Sequence, residues 1–198
     1  MNPDLSPATD AWRRLVEGNQ RFVAHRSDAA RDADRRREQA ARQTPFAMFL
    51  ACADSRVAPE LVFDQGIGDL FCVRVAGNTA ESDVVLGSLE FALAAFHCPL
   101  LVVLGHSDCG AVKASLDLVV GKSAPAGTVE AVVEPILPAV RRALESGGSS
   151  AALVEENVRG QTAGVLRSSI VSDGVRAGRL DVMGAIYDVR TGTVTPVT

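Results

Sequence analysis

Two short runs in this chain carry side chains that could hold a metal ion: Cys52-Ala53-Asp54-Ser55-Arg56 and Gly105-His106-Ser107-Asp108-Cys109-Gly110. Zinc accepts thiolate, imidazole and carboxylate ligands. His106 and Cys109 are three apart, so both can point at one ion if the run spans a strand end and a helix start. A cysteine in the first turn of that helix meets free backbone N–H groups and the positive helix end, which favour thiolate over thiol. Cys52 would supply a second sulfur from a neighbouring strand. Asp54 would add an oxygen or leave the fourth position to water. The bland alternative is a pair of buried thiols and a satisfied histidine. A third reading is a thiol enzyme with Cys109 as nucleophile and His106 as base.

Arg56 stands two residues from Asp54. A guanidinium and a carboxylate can form a bidentate pair, which would hold Asp54 off a metal and keep a coordination position open. The alternative is an ordinary structural salt bridge. Cys72 and Cys98 lack such company and read as small buried hydrophobes. His25 and His97 read as having no ligand role. No two of the four cysteines form a CxxC pair, which removes the simplest thioredoxin-like and zinc-ribbon readings.

These residues need elements to aim them. Short apolar runs at Phe46–Ala53, Leu70–Val75, Leu100–Leu104 and Val182–Val189 have strand length. Their near-continuous apolarity suits strands covered on both faces. Between them, Val85, Leu89, Ala92 and Phe96 share one helical face, as do Val112, Leu116, Val119 and Val120. Two longer helical candidates, Thr128–Glu145 and Ala151–Ala177, flank a flexible turn at Ser146–Ser150, and Pro135 and Pro138 should kink or split the first. Gly121–Gly127 reads as a loop. A first helix opens near Ser6-Pro7, with Trp12, Leu15, Val16, Phe22 and Val23 at helical spacing, a stripe that reads as core or subunit interface. The mixed-sign segment Arg31–Arg42 reads as a solvated helical face, or else as an arm docking on an acidic partner subunit. Strand alternating with helix predicts an α/β fold: a mostly parallel central β-sheet flanked by helices, with a helical N-terminal arm. Open parallel sheets place their sites beyond the carboxyl ends of the strands, where Cys52, Asp54, His106 and Cys109 all fall.

Size and composition exclude other classes. The 198 residues make one domain, residues 1–198, divided into an arm over 1–44 and a core over 45–198. The net charge of −4 argues against nucleic acid or an anionic membrane as partner, and with one Trp and one Tyr there is little base-stacking surface. Apolar stretches fall short of the ~20 residues that span a bilayer. Met1–Asp10 is polar and does not read as a secretory signal, so the expected location is the cytoplasm, where cysteines stay reduced or bind metal.

Taken together, Cys52-Ala53-Asp54-Ser55-Arg56 and His106-Ser107-Asp108-Cys109-Gly110 resemble the two-part signature of the β-class carbonic anhydrases. The resemblance runs through Gln65-Gly66-Ile67-Gly68-Asp69-Leu70-Phe71 and Arg74-Val75-Ala76-Gly77-Asn78, and is close over about residues 43–115. The arm and the late run Ala185-Ile186-Tyr187-Asp188-Val189 fit more loosely. It implies Zn2+, one per chain, on Cys52, His106 and Cys109, with Asp54 on the metal only in a closed form and otherwise paired with Arg56. The implied reaction is reversible hydration of carbon dioxide to bicarbonate and a proton, by attack of zinc-bound hydroxide. The implied assembly is a homodimer or homotetramer with the site near the dimer interface and each arm wrapping its neighbour.

The resemblance also separates two subtypes. A glutamine nine residues before the first cysteine marks the plant-like subtype, and here that residue is Gln43, expected to reach the partner's metal site and bind substrate. Phe71 and Phe91 fall where that subtype has aromatic pocket walls, and the Gly110 N–H would help to orient bicarbonate. The bicarbonate-inhibited subtype has a tryptophan where this chain has Phe49, although Arg74 and Tyr187 look like its other two members. Two thiolates donate more charge than two imidazoles, so activity should rise above neutral pH. The rivals are a related zinc hydrolase acting on carbon disulfide or carbonyl sulfide, and a structural zinc site in an oligomer.

Overall fold

Continuous apolar runs form the centre of the molecule because they are covered on both faces. The computed structural model describes residues 6–197, so Met1–Leu5, part of the polar Met1–Asp10 stretch, and Thr198 lie outside the described residues. Strands β1 (Ala47–Cys52), β2 (Leu70–Val75), β3 (Leu100–His106), β4 (Asp181–Tyr187) and β5 (Val194–Val197) form one sheet in the order β2-β1-β3-β4-β5. The first four pair in parallel, and β5 runs antiparallel to β4. The fold is the expected α/β arrangement.

Successive side chains on a strand face opposite sides. Ala47, Phe49 and Ala51 of β1 join one core with Leu15 and Phe63, while Met48 and Leu50 join the other with Val85, Leu89 and Val171. Complete burial of residues such as Leu15, Phe49 and Leu104 stabilises the fold by roughly 1.5–3 kcal/mol each. A third cluster closes the carboxyl end of the sheet and contains Cys52, Cys109, Val112, Ile136, Val140 and Val154.

The helices are α1 (Pro7–Val23), α2 (Ala33–Ala40), α3 (Pro59–Val62), α4 (Asp83–Phe96), α5 (Gly110–Val119), α6 (Glu130–Val133), α7 (Leu137–Glu145), α8 (Ser150–Val165) and α9 (Ser169–Arg176). Ser6 caps α1 by accepting from the Thr9 N–H, with Pro7 in the first turn. The expected Thr128–Glu145 helix is split by a 3-10 turn at Glu134–Ile136, where Pro135 sits. The expected Ala151–Ala177 helix is also two helices. Ser168 accepts from the Val171 N–H and starts α9 afresh. Strand β5 was not foreseen. It is a four-residue edge strand containing Pro196, so its apolar signal is weak.

Helix α1 is built into its own chain's core, with Leu15 fully buried and Trp12 edge-on to Phe63 at 6.4 Å. Helix α2 buries no residue and fits the solvated-face reading. Among the described residues, no helix is long and apolar enough to cross a membrane.

Candidate metal centre

Cys52 ends β1, and its register partner Val75 ends β2. His106 ends β3 opposite Tyr187 at the end of β4. The chain then turns through Asp108, at a φ of 57°, into α5, with Cys109 as the N-cap. Cys109 therefore lies one residue before the helix, not within its first turn as the sequence suggested. Its side chain accepts no capping hydrogen bond, although the nearby Val112 and Ala111 N–H groups still favour the thiolate.

These elements bring together the three residues expected to bind metal. The Cys52 and Cys109 sulfurs and a His106 ring nitrogen lie within 4.8 Å of one another, and all three residues are buried. His106 Nδ1 is 2.9 Å from the Ser107 carbonyl oxygen, and this bond assigns the ring proton to Nδ1. Nε2 is then a lone-pair acceptor, buried and without a hydrogen-bond partner. A buried imidazole nitrogen with no partner, facing two sulfurs, is what a metal ligand needs. The donor set therefore fits a cation.

The thiols are coupled. The Cys109 side chain, then His106 and the Gly77 N–H, hold Cys52 well below the usual thiol range. Cys109 is pushed up by the neighbouring Cys52 and by burial. Two thiols sharing one proton would both ionise beside a divalent cation. The remaining cysteines behave differently. Burial raises Cys98 to about 11, and burial with Glu60 nearby raises Cys72. Cys98 is fully buried, whereas Cys72 is only half-buried. His25 and His97 are exposed, and neither joins the cluster.

Asp54 stands at the rim of the triangle. Arg56 grips it twice, Nε to Oδ1 at 2.9 Å and Nη2 to Oδ2 at 2.7 Å, and the Arg56 backbone N–H donates to Oδ1 at 2.9 Å. That grip holds the carboxyl well below the usual range, outweighing partial burial. Oδ2 is 3.9 Å from His106 Nε2. The carboxylate is thus ionised, paired with Arg56, and close to His106 Nε2.

Arg74, singled out from the sequence for a different role, donates to the Cys52 carbonyl at 3.1 Å and the Asp54 carbonyl at 2.7 Å. Phe49, its companion in that pattern, is fully buried. Arg74 therefore shapes the end of β1 directly below the site.

One chain does not bring the substrate-binding candidates to its own triangle, apart from Gly110. Gly110 is exposed and begins α5 beside Cys109. Phe71 pairs with Met48, four residues before Cys52 on β1, and so lies about 13 Å from the site along the strand. Phe91 is 60% exposed and joins Phe71 and Phe96 in an aromatic trio with centroids 5.8–6.4 Å apart. Gln43 is exposed and lines a cleft with Leu70, Phe96 and His97 at that same end.

Sequence reasoning missed several supporting contacts. The Gly77 N–H donates to Cys52 Sγ at 3.4 Å, and Asn157 Nδ2 on α8 donates to the Gly77 carbonyl at 3.1 Å. The Ser107 hydroxyl accepts the Val189 N–H, and Arg190 pairs with Asp108 at 3.0 Å. The signal for Asn157 was an amide at i and another, Gln161, at i+4 on an otherwise apolar helix face.

Comparison with known proteins agrees with this geometry. Residues 47–194 match the family described as carbonic anhydrase. Carbonic anhydrase 2 of Mycobacterium tuberculosis is 42% identical over 193 residues, covering 96% of this chain and 92% of that protein. The carbonic anhydrase of Mycolicibacterium smegmatis is 38% identical over 195 residues, covering 97% and 94%. Among solved structures, the β-carbonic anhydrase CcaA superimposes with a TM-score of 0.73 at 28% identity, covering 94% of this chain and 87% of that one. The Coccomyxa β-carbonic anhydrase, solved with acetazolamide, gives 0.73 at 27% identity, covering 99% and 87%.

Proposed function

The chain belongs to the β-carbonic anhydrase family, and from that premise we propose that it catalyses the reversible hydration of carbon dioxide at a zinc ion held by Cys52, His106 and Cys109. The observation that carries this reading is the buried triangle of two sulfurs and the unpartnered His106 Nε2. Two cysteines and one histidine with a fourth position free is a catalytic zinc ligand set. When bound, zinc lowers the pKa of a coordinated water and supplies the nucleophile near neutral pH.

The protein's own groups do the rest. Ser107 fixes the His106 tautomer through Nδ1, so Nε2 is free to bind. Asp54, kept ionised by Arg56, is an acceptor at the rim, placed to orient the attacking water by hydrogen bonding. Its engagement by Arg56 favours an open fourth position over a sealed structural site. Gly110 begins α5, whose positive N-terminal end suits the negative charge of bicarbonate. Carbon dioxide offers no charge to grip and needs an apolar wall. Gln43, Phe71 and Phe91 supply an amide and aromatic surface at the opposite end of the sheet. They serve a site only if the partner in a homodimer brings them to it. That geometry supports an obligatory dimer, alone or paired into a homotetramer, with the arm over residues 1–44 packing on the partner. The expected setting is the cytoplasm, with no nucleic acid or membrane partner.

Turnover on carbon dioxide, carbonyl sulfide and carbon disulfide, compared on protein of known zinc content, tests this assignment. Hydration of carbon dioxide should be fastest by orders of magnitude. Preference for either sulfur gas would move the assignment to the related hydrolases. Zinc with no turnover on any gas would leave a structural site.

A further inference from the structure

Below the metal-binding triangle lies a buried polar network that none of the roles above requires. Gln161 on α8 is 5% exposed and uses its whole amide: Oε1 accepts the Ala80 N–H at 2.8 Å, and Nε2 donates to the Pro135 carbonyl and to Asn157 Oδ1, each at 3.2 Å. Asn157, 1% exposed, is thereby fixed and donates Nδ2 to the Gly77 carbonyl. The peptide turn it grips is unusual. Gly77 has a φ of 71° and Asn78 a φ of 48°, two successive residues in the left-handed region. A Cβ at Gly77 would come within 2.6 Å of Ile136 Cδ1, so no other residue fits there unchanged. The product of this turn is one hydrogen bond, from the Gly77 N–H to Cys52 Sγ.

Buried side-chain amides are costly unless fully paired. Here two of them, far from Cys52 in sequence, hold a strained turn whose outward result is an N–H aimed at a ligand sulfur. We propose that Asn157, braced by Gln161, is a positioning residue for the metal centre: it holds the Gly77 N–H on the Cys52 thiolate and so sets how strongly that sulfur donates to the metal. This rests on the reading of Cys52, His106 and Cys109 as metal ligands. An N–H on a thiolate draws charge away from it. The metal is left more electrophilic, and the sulfur is oriented before metal arrives. Partners of ligands act this way in metal sites generally.

The direct test uses the unaltered protein, labelled with nitrogen-15 and loaded with cadmium-113. The Gly77 amide proton should show scalar coupling to the metal across the N–H···S bond. Cadmium bound without that coupling overturns the proposal and leaves the metal assignment standing. Failure to bind cadmium or zinc at all overturns both. As a second arm, Asn157→Leu keeps the side chain's shape and removes its donor. It should lower zinc affinity about tenfold, as read by competition with a chelator. In cobalt-substituted protein it should move the thiolate-to-cobalt charge-transfer band to longer wavelength. A variant that folds with the wild-type band and wild-type zinc affinity would refute the role. A general packing defect would lower stability without moving that band.

Discussion

Asp54 and Arg56 show how a short motif can encode both a charge and its orientation. The bidentate grip keeps the carboxylate ionised and turned towards the guanidinium, yet within 3.9 Å of His106 Nε2. Asp54→Ala should retain zinc and lose on the order of 10²-fold in turnover, a typical loss for a positioned proton acceptor. Stopped-flow hydration on zinc-quantified protein checks this, and full turnover would remove Asp54 from the mechanism. Arg56→Lys should also be impaired, because an ammonium cannot reproduce the planar fork. The ligands were legible from sequence because Cys52, Asp54 and Arg56 are near neighbours, as are His106 and Cys109. The support beneath them was not. Asn157 and Gly77 are 80 residues apart, and nothing local ties an amide on α8 to a turn after β2. Nor does a one-dimensional reading reveal that Phe71 stands at the far end of β1 from Cys52.

At the scale of elements, two joints matter. The first fastens the arm. Asp64, its side chain 2% exposed, accepts from Ser27 Oγ at 2.5 Å, the Asp28 N–H at 2.9 Å and Arg21 Nε at 2.8 Å. Burial pushes its carboxyl up, but these hydrogen bonds win and hold it at about 2, below the ordinary 3.8. A depressed carboxyl stabilises the fold above its unfolded pKa and loses that contribution as pH falls through its folded value. Asp64→Asn should therefore cost about 2 kcal/mol near neutrality. The gap from wild type should narrow below about pH 4 in urea unfolding, and a pH-independent gap would contradict the charge assignment. The second joint seats α8 on the sheet. A Cβ at Gly105 would lie 2.4 Å from Val158 Cγ2, and one at Gly184 2.6 Å from Val158 Cγ1. Gly105→Ala should destabilise by roughly 1–3 kcal/mol through overpacking, measured as a lowered urea midpoint. Strands β1 to β4 could be read from sequence because apolar runs on a covered parallel sheet are continuous. Strand β5 and the break before α9 could not, since one depends on edge pairing and the other on a serine cap.

At the scale of the molecule, the Cys52–His106–Cys109 triangle and the Gln43–Phe71–Phe91 surface occupy opposite ends of one sheet, and in the proposed dimer a second copy unites them. A two-fold dimer presents each end to its partner's other end. Chains carrying Gln43→Ala should be impaired, and chains carrying Cys109→Ala should be dead. Randomly mixed dimers should regain about a quarter of the wild-type sites, because half are heterodimers with one complete site. No recovery on mixing would place Gln43 outside the partner's site. Every catalytic role proposed above depends on a metal held by Cys52, His106 and Cys109. The most direct test is to strip the protein of metal and follow carbon dioxide hydration by stopped flow as zinc is returned. Activity should rise in proportion to bound zinc and level at one ion per chain, the capacity of the single Cys-His-Cys cluster among the described residues. Fully loaded protein that hydrates carbon dioxide no faster than buffer would contradict the account.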